Sequence, residues 1–384
     1  MSSQPAGTVS IAPQRSIQFF DYQGLFSEKE KEFLAAIQDV LRRGAYIMQA
    51  ELFEFEEKIA QLAGVRHAFG VADGTVALTL SLKLAGVGQG DEVILPSHTF
   101  VATAAAVHHV GATPVLCDCG PDHMIDITSA EPLITPRTKA IMPVQLNGRT
   151  CDMDAVCGFA DRHGLKIIED SCQALGARYR GRMAGTFGVA GSFSFYPAKV
   201  LGCFGDGGMI IVDDDDKADL IKQYRDHGRD QVSGKVVRFG YNARLDNLQA
   251  AIMLVKLKTY ERDLERRRAI ARIYEERLKH LDELLLPPAP DSDNLRYDIF
   301  QNYEIEADQR DMLRQHLAAH GVGTIVQWGG HLIHQFDKLG LKSNAPYAEA
   351  MSSRYLLLPM HHLLSDDDVH HVCSSVVGFY RGRK

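Results

Sequence analysis

Short apolar runs at 68–71, 92–95, 113–118, 140–144, 166–169, 191–195 and 209–212 are mostly rich in Val, Ile or Phe, and Gly, Asp or Pro bounds them. That pattern predicts strands. Segments 74–84, 99–109 and 154–163 separate several of them and read as helices. The alternation predicts an α/β fold: a large domain with a mostly parallel seven-stranded sheet and helices on both faces. Sheets of this kind bind ligands beyond the carboxyl ends of their strands, so residues just after a strand carry extra weight.

Before this region, Phe33, Leu34, Ile37, Val40 and Leu41 recur at helical spacing within 28–42, and 53–62 gives a second short helix. After it, one long helix is expected from 245 to about 279, with Leu248, Ile252, Val255 and Leu257 on its apolar side. The charged run 261–268 then reads as a solvated face, and Asp213 to Asp216 as a short acidic turn. Pro287, Pro288 and Pro290 break the chain. The expected division is a flexible N-terminal arm over 1–16, a large domain over 17–280 that includes the N-terminal helices and the long linking helix, and a smaller C-terminal α/β domain over 281–384. The last is read as strand, helix (308–320), strand and final helix (366–380).

The 384 residues carry a formal charge of −7 with no basic stripe, which argues against a nucleic-acid partner. No apolar run approaches the ~20 residues that cross a bilayer, and the first residues lack a basic segment followed by an apolar one, so a cytoplasmic protein without a membrane partner is expected. The seven cysteines are odd in number and show no CxxC spacing, as expected of reduced thiols. Cys117 and Cys119 read as packing residues. His361 and His362 have no acidic or thiol companion at ligand spacing, so no metal site is expected.

Two positions stand out chemically. Lys199 follows an apolar strand and precedes the glycine-rich Gly202-Cys-Phe-Gly-Asp-Gly-Gly, where a surface charge is out of place. Desolvation there depresses an ammonium pKa, and a neutral amine attacks carbonyls to form a Schiff base; a lysine among glycines could equally cradle a phosphate. Asp170 ends the apolar Ile167-Ile-Glu-Asp run, where a carboxylate is costly unless paired with a cation or a proton. It could also simply cap the turn.

The chain resembles the DegT/DnrJ/EryC1/StrS family of sugar aminotransferases, on the aspartate-aminotransferase fold (type I) of pyridoxal-phosphate-dependent transferases. The resemblance runs through Asp73-Gly-Thr-Val-Ala-Leu, Gly90-Asp-Glu-Val-Ile-Leu-Pro-Ser, Thr135-Pro-Arg-Thr-Lys-Ala-Ile, Glu169-Asp-Ser-Cys-Gln-Ala-Leu-Gly-Ala, Ser194-Phe-Tyr-Pro-Ala-Lys, Gly205-Asp-Gly-Gly and Gly240-Tyr-Asn-Ala-Arg-Leu-Asp-Asn-Leu-Gln-Ala-Ala, in that order. It implies that Lys199 carries pyridoxal 5'-phosphate as a Schiff base and moves protons as acid and base. Asp170 pairs with the pyridine nitrogen, and Gln173 lies near the ring oxygen. The Gly74 and Thr75 amides with the Ser194 hydroxyl hold the phosphate, and Phe100 stacks on the ring; His98 is a weaker stacking candidate. Asn242 reaches the phosphate of a neighbouring subunit, which implies a homodimer with shared sites.

Met48-Gln-Ala50 and Gln327-Trp-Gly329 depart from turns common in the family, which leaves the sugar open. Gln327, Trp328, His331 and His334 are candidate substrate contacts. The implied reaction transfers an amino group, from L-glutamate by resemblance, to a 3-keto or 4-keto deoxysugar linked to a nucleoside diphosphate, making an amino sugar for polysaccharide or secondary metabolism. The alternatives are a cyclitol ketone or aminobenzoate precursor as acceptor, and a non-catalytic regulatory protein on the same fold. Lysine at 199 disfavours the dehydratase branch, which resembles this chain but has histidine there.

Overall fold

The computed structural model describes residues 15–382. Seven strands form the main sheet: β1 (His67–Val71), β2 (Glu92–Pro96), β3 (Thr113–Cys117), β4 (Thr138–Ile141), β5 (Lys166–Asp170), β6 (Ala190–Ser194) and β7 (Gly208–Val212). Their order is β1-β7-β6-β5-β4-β2-β3, parallel except for β7, which runs antiparallel to both neighbours. All seven predicted strands are present, with β4 starting two residues earlier than the apolar run because Thr138 pairs with Glu92 and Lys139 bulges before the buried part begins.

Helices α1 (Glu30–Arg43), α2 (Ala50–Ala63), α3 (Gly74–Leu84), α4 (Val101–His109) and α5 (Met153–His163) follow the expected apolar periodicities. Helix α3 is buried along almost its whole length, and Ser81 meets Ser192 of β6 at 2.9 Å. Its interior carries few charges because the sheet covers one side and other helices the other.

Three sequence expectations change. The acidic run 213–216 opens a helix, α6 (Asp215–Arg225), whose first amides Asp214 caps by accepting from Lys217 N at 3.0 Å; acidic groups suit a helix N-terminus. The long helix is two, α7 (Asn247–Leu257) and α8 (Tyr260–Leu278). Thr259 leaves helical geometry between them, and its hydroxyl donates to Asp263 at 3.0 Å. The charged run within α8 is a solvated face only in part: Glu261, Arg262 and Glu265 are exposed, but Asp263, Arg267 and Arg268 are buried, and both arginines donate to backbone carbonyls of 298–301.

A second core lies over the C-terminal third. Strands β8 (Leu284–Leu285), β9 (Tyr303–Ala307) and β10 (Tyr355–Leu358) form an antiparallel sheet with α9 (Arg310–Ala319) and α10 (Asp366–Arg381) against it. Ile270, Tyr274 and Leu278 of α8 belong to this core, as does Ile17. The expected arm falls almost wholly outside the described residues; Arg15 is tied to Asp368 at 2.6 Å. All seven cysteines are free. No helix among the described residues is long and apolar enough to cross a membrane.

Glu56 of α2 and Arg225 of α6 form a buried ion pair beneath β1, and Arg225 also donates to Gly70 O at 2.9 Å. Burial pushes the Glu56 carboxyl above its usual range while Arg225 opposes that shift. Removing one partner of such a pair strands the other charge. Arg225→Met is therefore expected to destabilise the fold by about 3–5 kcal/mol, read as a lower urea midpoint with unchanged slope.

Candidate active site

The sheet opens at the carboxyl ends of its parallel strands into a cavity of ≈ 1000 Å³. Gly74, Thr75, Phe100, Asp170, Gln173, Ser194 and Lys199, all singled out from the sequence, line it together.

One end is the N-terminus of α3. Asp73 is extended and accepts from Val76 N at 2.9 Å, which caps the helix. The first amides of a helix have no partner inside it, so those of Gly74 and Thr75 are left for a ligand. Gly74 is required: a Cβ there would lie 2.8 Å from Ser194 Cβ and 3.0 Å from Cys172 Sγ. That close approach puts the Ser194 hydroxyl beside the free amides, a cradle for an anion.

The floor is Asp170. Its backbone is locked by Pro143 O and Gln145 N, and its carboxylate accepts from Thr103 Oγ1 at 2.7 Å and Cys172 N at 3.2 Å. Thr103 in turn lies 2.7 Å from Thr99 Oγ1. Asp170 is 6% exposed and forms no ion pair among the described residues, so it presents an uncompensated carboxylate to the cavity. Thr103 escaped the sequence reading; its one signal was a Thr-x-x-x-Thr pair, which places two hydroxyls one helical turn apart.

Lys199 stands opposite. Burial pushes its ammonium pKa below the usual range, against the opposing pull of Cys172 and Asp170. Its backbone is clamped on both sides by one distant residue: Gln301 Nε2 donates to Ala198 O and Gln301 Oε1 accepts from Val200 N, each at 2.9 Å. Buried Arg267 holds that clamp by donating to Gln301 O at 3.1 Å. The arginine expected in solvent thus stabilises the segment that carries Lys199. Cys172 is no rival nucleophile, because burial raises its thiol pKa well above the usual value. Gln173 also faces the cavity, its side-chain oxygen fixed by Asn147 N at 2.8 Å.

The far end departs from expectation. Trp328 lines the cavity in a left-handed conformation, φ 50°, with its ring 6.4 Å from that of Phe100. Gln327 is buried instead, pointing to Asn147. His331 turns back to Gly329 O and stacks on Phe336, and His334 pairs with Glu349. None of these three lines the cavity; for the two histidines the left-handed residues Trp328 and Gly329 turn the chain away after the tryptophan. His98 does not stack in the cavity; it is fully buried behind Trp328, 5.1 Å ring to ring. Asn242 is exposed and accepts from Arg244 at 2.6 Å, outside the cavity, while its neighbour Tyr241 lines it.

An amine of lowered pKa, a buried carboxylate without a cation and an anion cradle, gathered at one edge of a mostly parallel sheet, define an aminotransferase-type site. The chain belongs to the DegT/DnrJ/EryC1/StrS aminotransferase family, whose pattern matches residues 27–377. It is 40% identical to dTDP-3-amino-3,4,6-trideoxy-alpha-D-glucose transaminase of Streptomyces venezuelae, over 91% of this chain and 93% of that one. It is 37% identical to a protein of Geobacillus stearothermophilus named pleiotropic regulatory protein, over 95% and 99%. The fold matches the crystal structure of NtdA from Bacillus subtilis with bound cofactor PMP at a TM-score of 0.86, with 28% identity over 95% of this chain and 85% of that one.

Proposed function

We propose that this chain is a pyridoxal-phosphate-dependent aminotransferase that moves an amino group from L-glutamate to a nucleoside-diphosphate-linked 3-keto or 4-keto deoxysugar, in the cytoplasm and as a homodimer. The observation that carries the reading is the uncompensated Asp170 carboxylate lining the same cavity as Lys199. A protonated pyridine nitrogen is the cation that Asp170 lacks, and a phosphate suits the Gly74, Thr75 and Ser194 cradle. The transaminase activity named for the Streptomyces relative supports the substrate class.

When bound, pyridoxal phosphate supplies an electron sink for negative charge at the substrate carbon. The protein does the rest. Asp170, fixed by Thr103, would hold the ring nitrogen protonated, Phe100 would cover the ring and Gln173 would orient its oxygen. Lys199 would take the proton from the donor carbon and return one to the acceptor, a task for an amine whose pKa burial has lowered. Trp328 offers an apolar face to a sugar ring.

Asn242 is assigned to the phosphate of a second copy. Its loop exposes Phe239 fully and Val232 almost fully, which is surface for a partner to cover.

The purified enzyme with L-glutamate should convert nucleoside-diphosphate 3-keto or 4-keto deoxysugars to amino sugars detectable by mass. Turnover of an inosose-type cyclitol or an aminobenzoate precursor alone would replace the sugar as acceptor. The name of the Geobacillus relative favours a regulatory reading, which predicts no cofactor absorbance on the purified chain.

A further inference from the structure

Behind Trp328 lies a buried cluster that the reaction does not use. His98 sits in the loop after β2, His123 in the loop after β3, and Glu304 on β9 of the second core. One donor atom from each falls within 4.8 Å of the other two. We propose that these three residues bind a divalent transition cation, zinc by the chemistry of the donors, which ties the substrate end of the cavity to the second core.

Hydrogen bonding leaves a deficit at this point. His98 has no exposed surface, and neither of its ring nitrogens has a hydrogen-bond partner. Glu304 Oε1 is crowded by His123 Nδ1 at 2.7 Å and Asn147 Nδ2 at 3.1 Å, with His98 Nε2 at 3.5 Å, while Oε2 has no partner. Buried polar atoms are nearly always satisfied, so the unpartnered His98 nitrogens beside the unpartnered Glu304 Oε2 mark a missing group. Two imidazoles and a carboxylate are a zinc donor set.

The dimensions fit. Zinc with ligands at about 2.0–2.1 Å holds tetrahedral donors about 3.3 Å apart. The His98 to Glu304 separation is already 3.5 Å. The His123 to Glu304 contact has to open by about half an ångström, which follows when the ion replaces the shared proton. The two imidazole planes are 85° apart, so both can aim at one centre without their rings colliding. His123 turns its other nitrogen to Glu306 at 3.1 Å, and Tyr347 donates to that carboxylate at 3.0 Å. A carboxylate behind a ligating histidine is the usual outer support of a zinc site. His123 and Glu304 also border a cavity of ≈ 50 Å³, enough for water as fourth ligand.

Spacing along the chain gives no sign of a metal here, because ligand spacing is legible only between near neighbours. These donors come from residues 98, 123 and 304, which only the fold brings together. An ion here would fix His98, and with it Thr99 and Phe100 that follow it and Trp328 that packs on it.

Metal analysis of untagged holoenzyme, purified without added metal, should find about one zinc per chain. His98→Gln and His123→Gln should each lower zinc affinity at least about tenfold. Cobalt in place of zinc should give the visible bands of a tetrahedral site. Adding zinc to chelator-treated holoenzyme should raise Tm, and this rise should vanish in both variants. Circular dichroism confirms that the variants fold; if one does not, cobalt spectra of Glu304→Gln replace it. No metal together with no Tm response to zinc would overturn the proposal, as would full zinc retention in His98→Gln. Neither readout depends on transamination.

Discussion

Lys199→Ala is expected to lower transamination by more than about 10³-fold, because in the proposed reaction the residue is both the attachment point and the proton carrier. The fold should survive, since Gln301 clamps the backbone of this segment and not the lysine side chain. A second buried lysine makes the test discriminating. Lys256 has its pKa pushed down to about 8 by burial, so amine chemistry alone would nominate it too. Geometry excludes it: its ammonium bonds to Gly202 O and lies 4.7 Å over the Phe204 ring, and it does not line the large cavity that Lys199 shares with Asp170. Borohydride reduction of the holoenzyme should fix the cofactor to the peptide containing Lys199. Label on Lys256, or Lys199→Ala activity within about tenfold of wild type, would refute the assignment.

The sheet was legible because its strands are short β-branched runs cut by Gly, Asp and Pro, a local signal that needs no tertiary information. Asp170 and Lys199 were legible for the same reason, each being a charge at the end of such a run. The misreadings share a different cause. Glu261 to Arg268 looks like any solvated helix face, and only the return of residues 298–301 across α8 supplies the carbonyls that bury Arg267 and Arg268. Gln301 likewise has no local mark, since its role depends on a segment a hundred residues away. His98 shares its loop with cavity residues Thr99 and Phe100, but the chain turns between them and sends the histidine to Glu304. Long-range pairing of polar groups decided each of these positions, and periodicity carries no information about it.

Mixing two impaired chains should restore activity if the proposed shared site is correct. Asn242 is exposed and lies outside its own chain's cavity, beside the uncovered Phe239. A two-fold dimer would bring it to the partner's site, where its amide would donate to the phosphate held by Gly74, Thr75 and Ser194. Asn242→Ala should then weaken cofactor retention and dimer stability together, because a ligand bridging two chains favours their association by mass action. Lys199→Ala chains are inactive for a different reason. In a mixed dimer both defects fall in one site, and the other site has Lys199 from one chain and Asn242 from its partner. With random exchange half the dimers are mixed and half of their sites intact, so activity should recover to about a quarter of wild type. Confirmed subunit exchange with no rise above the Asn242→Ala background would mean that each site is complete within its own chain.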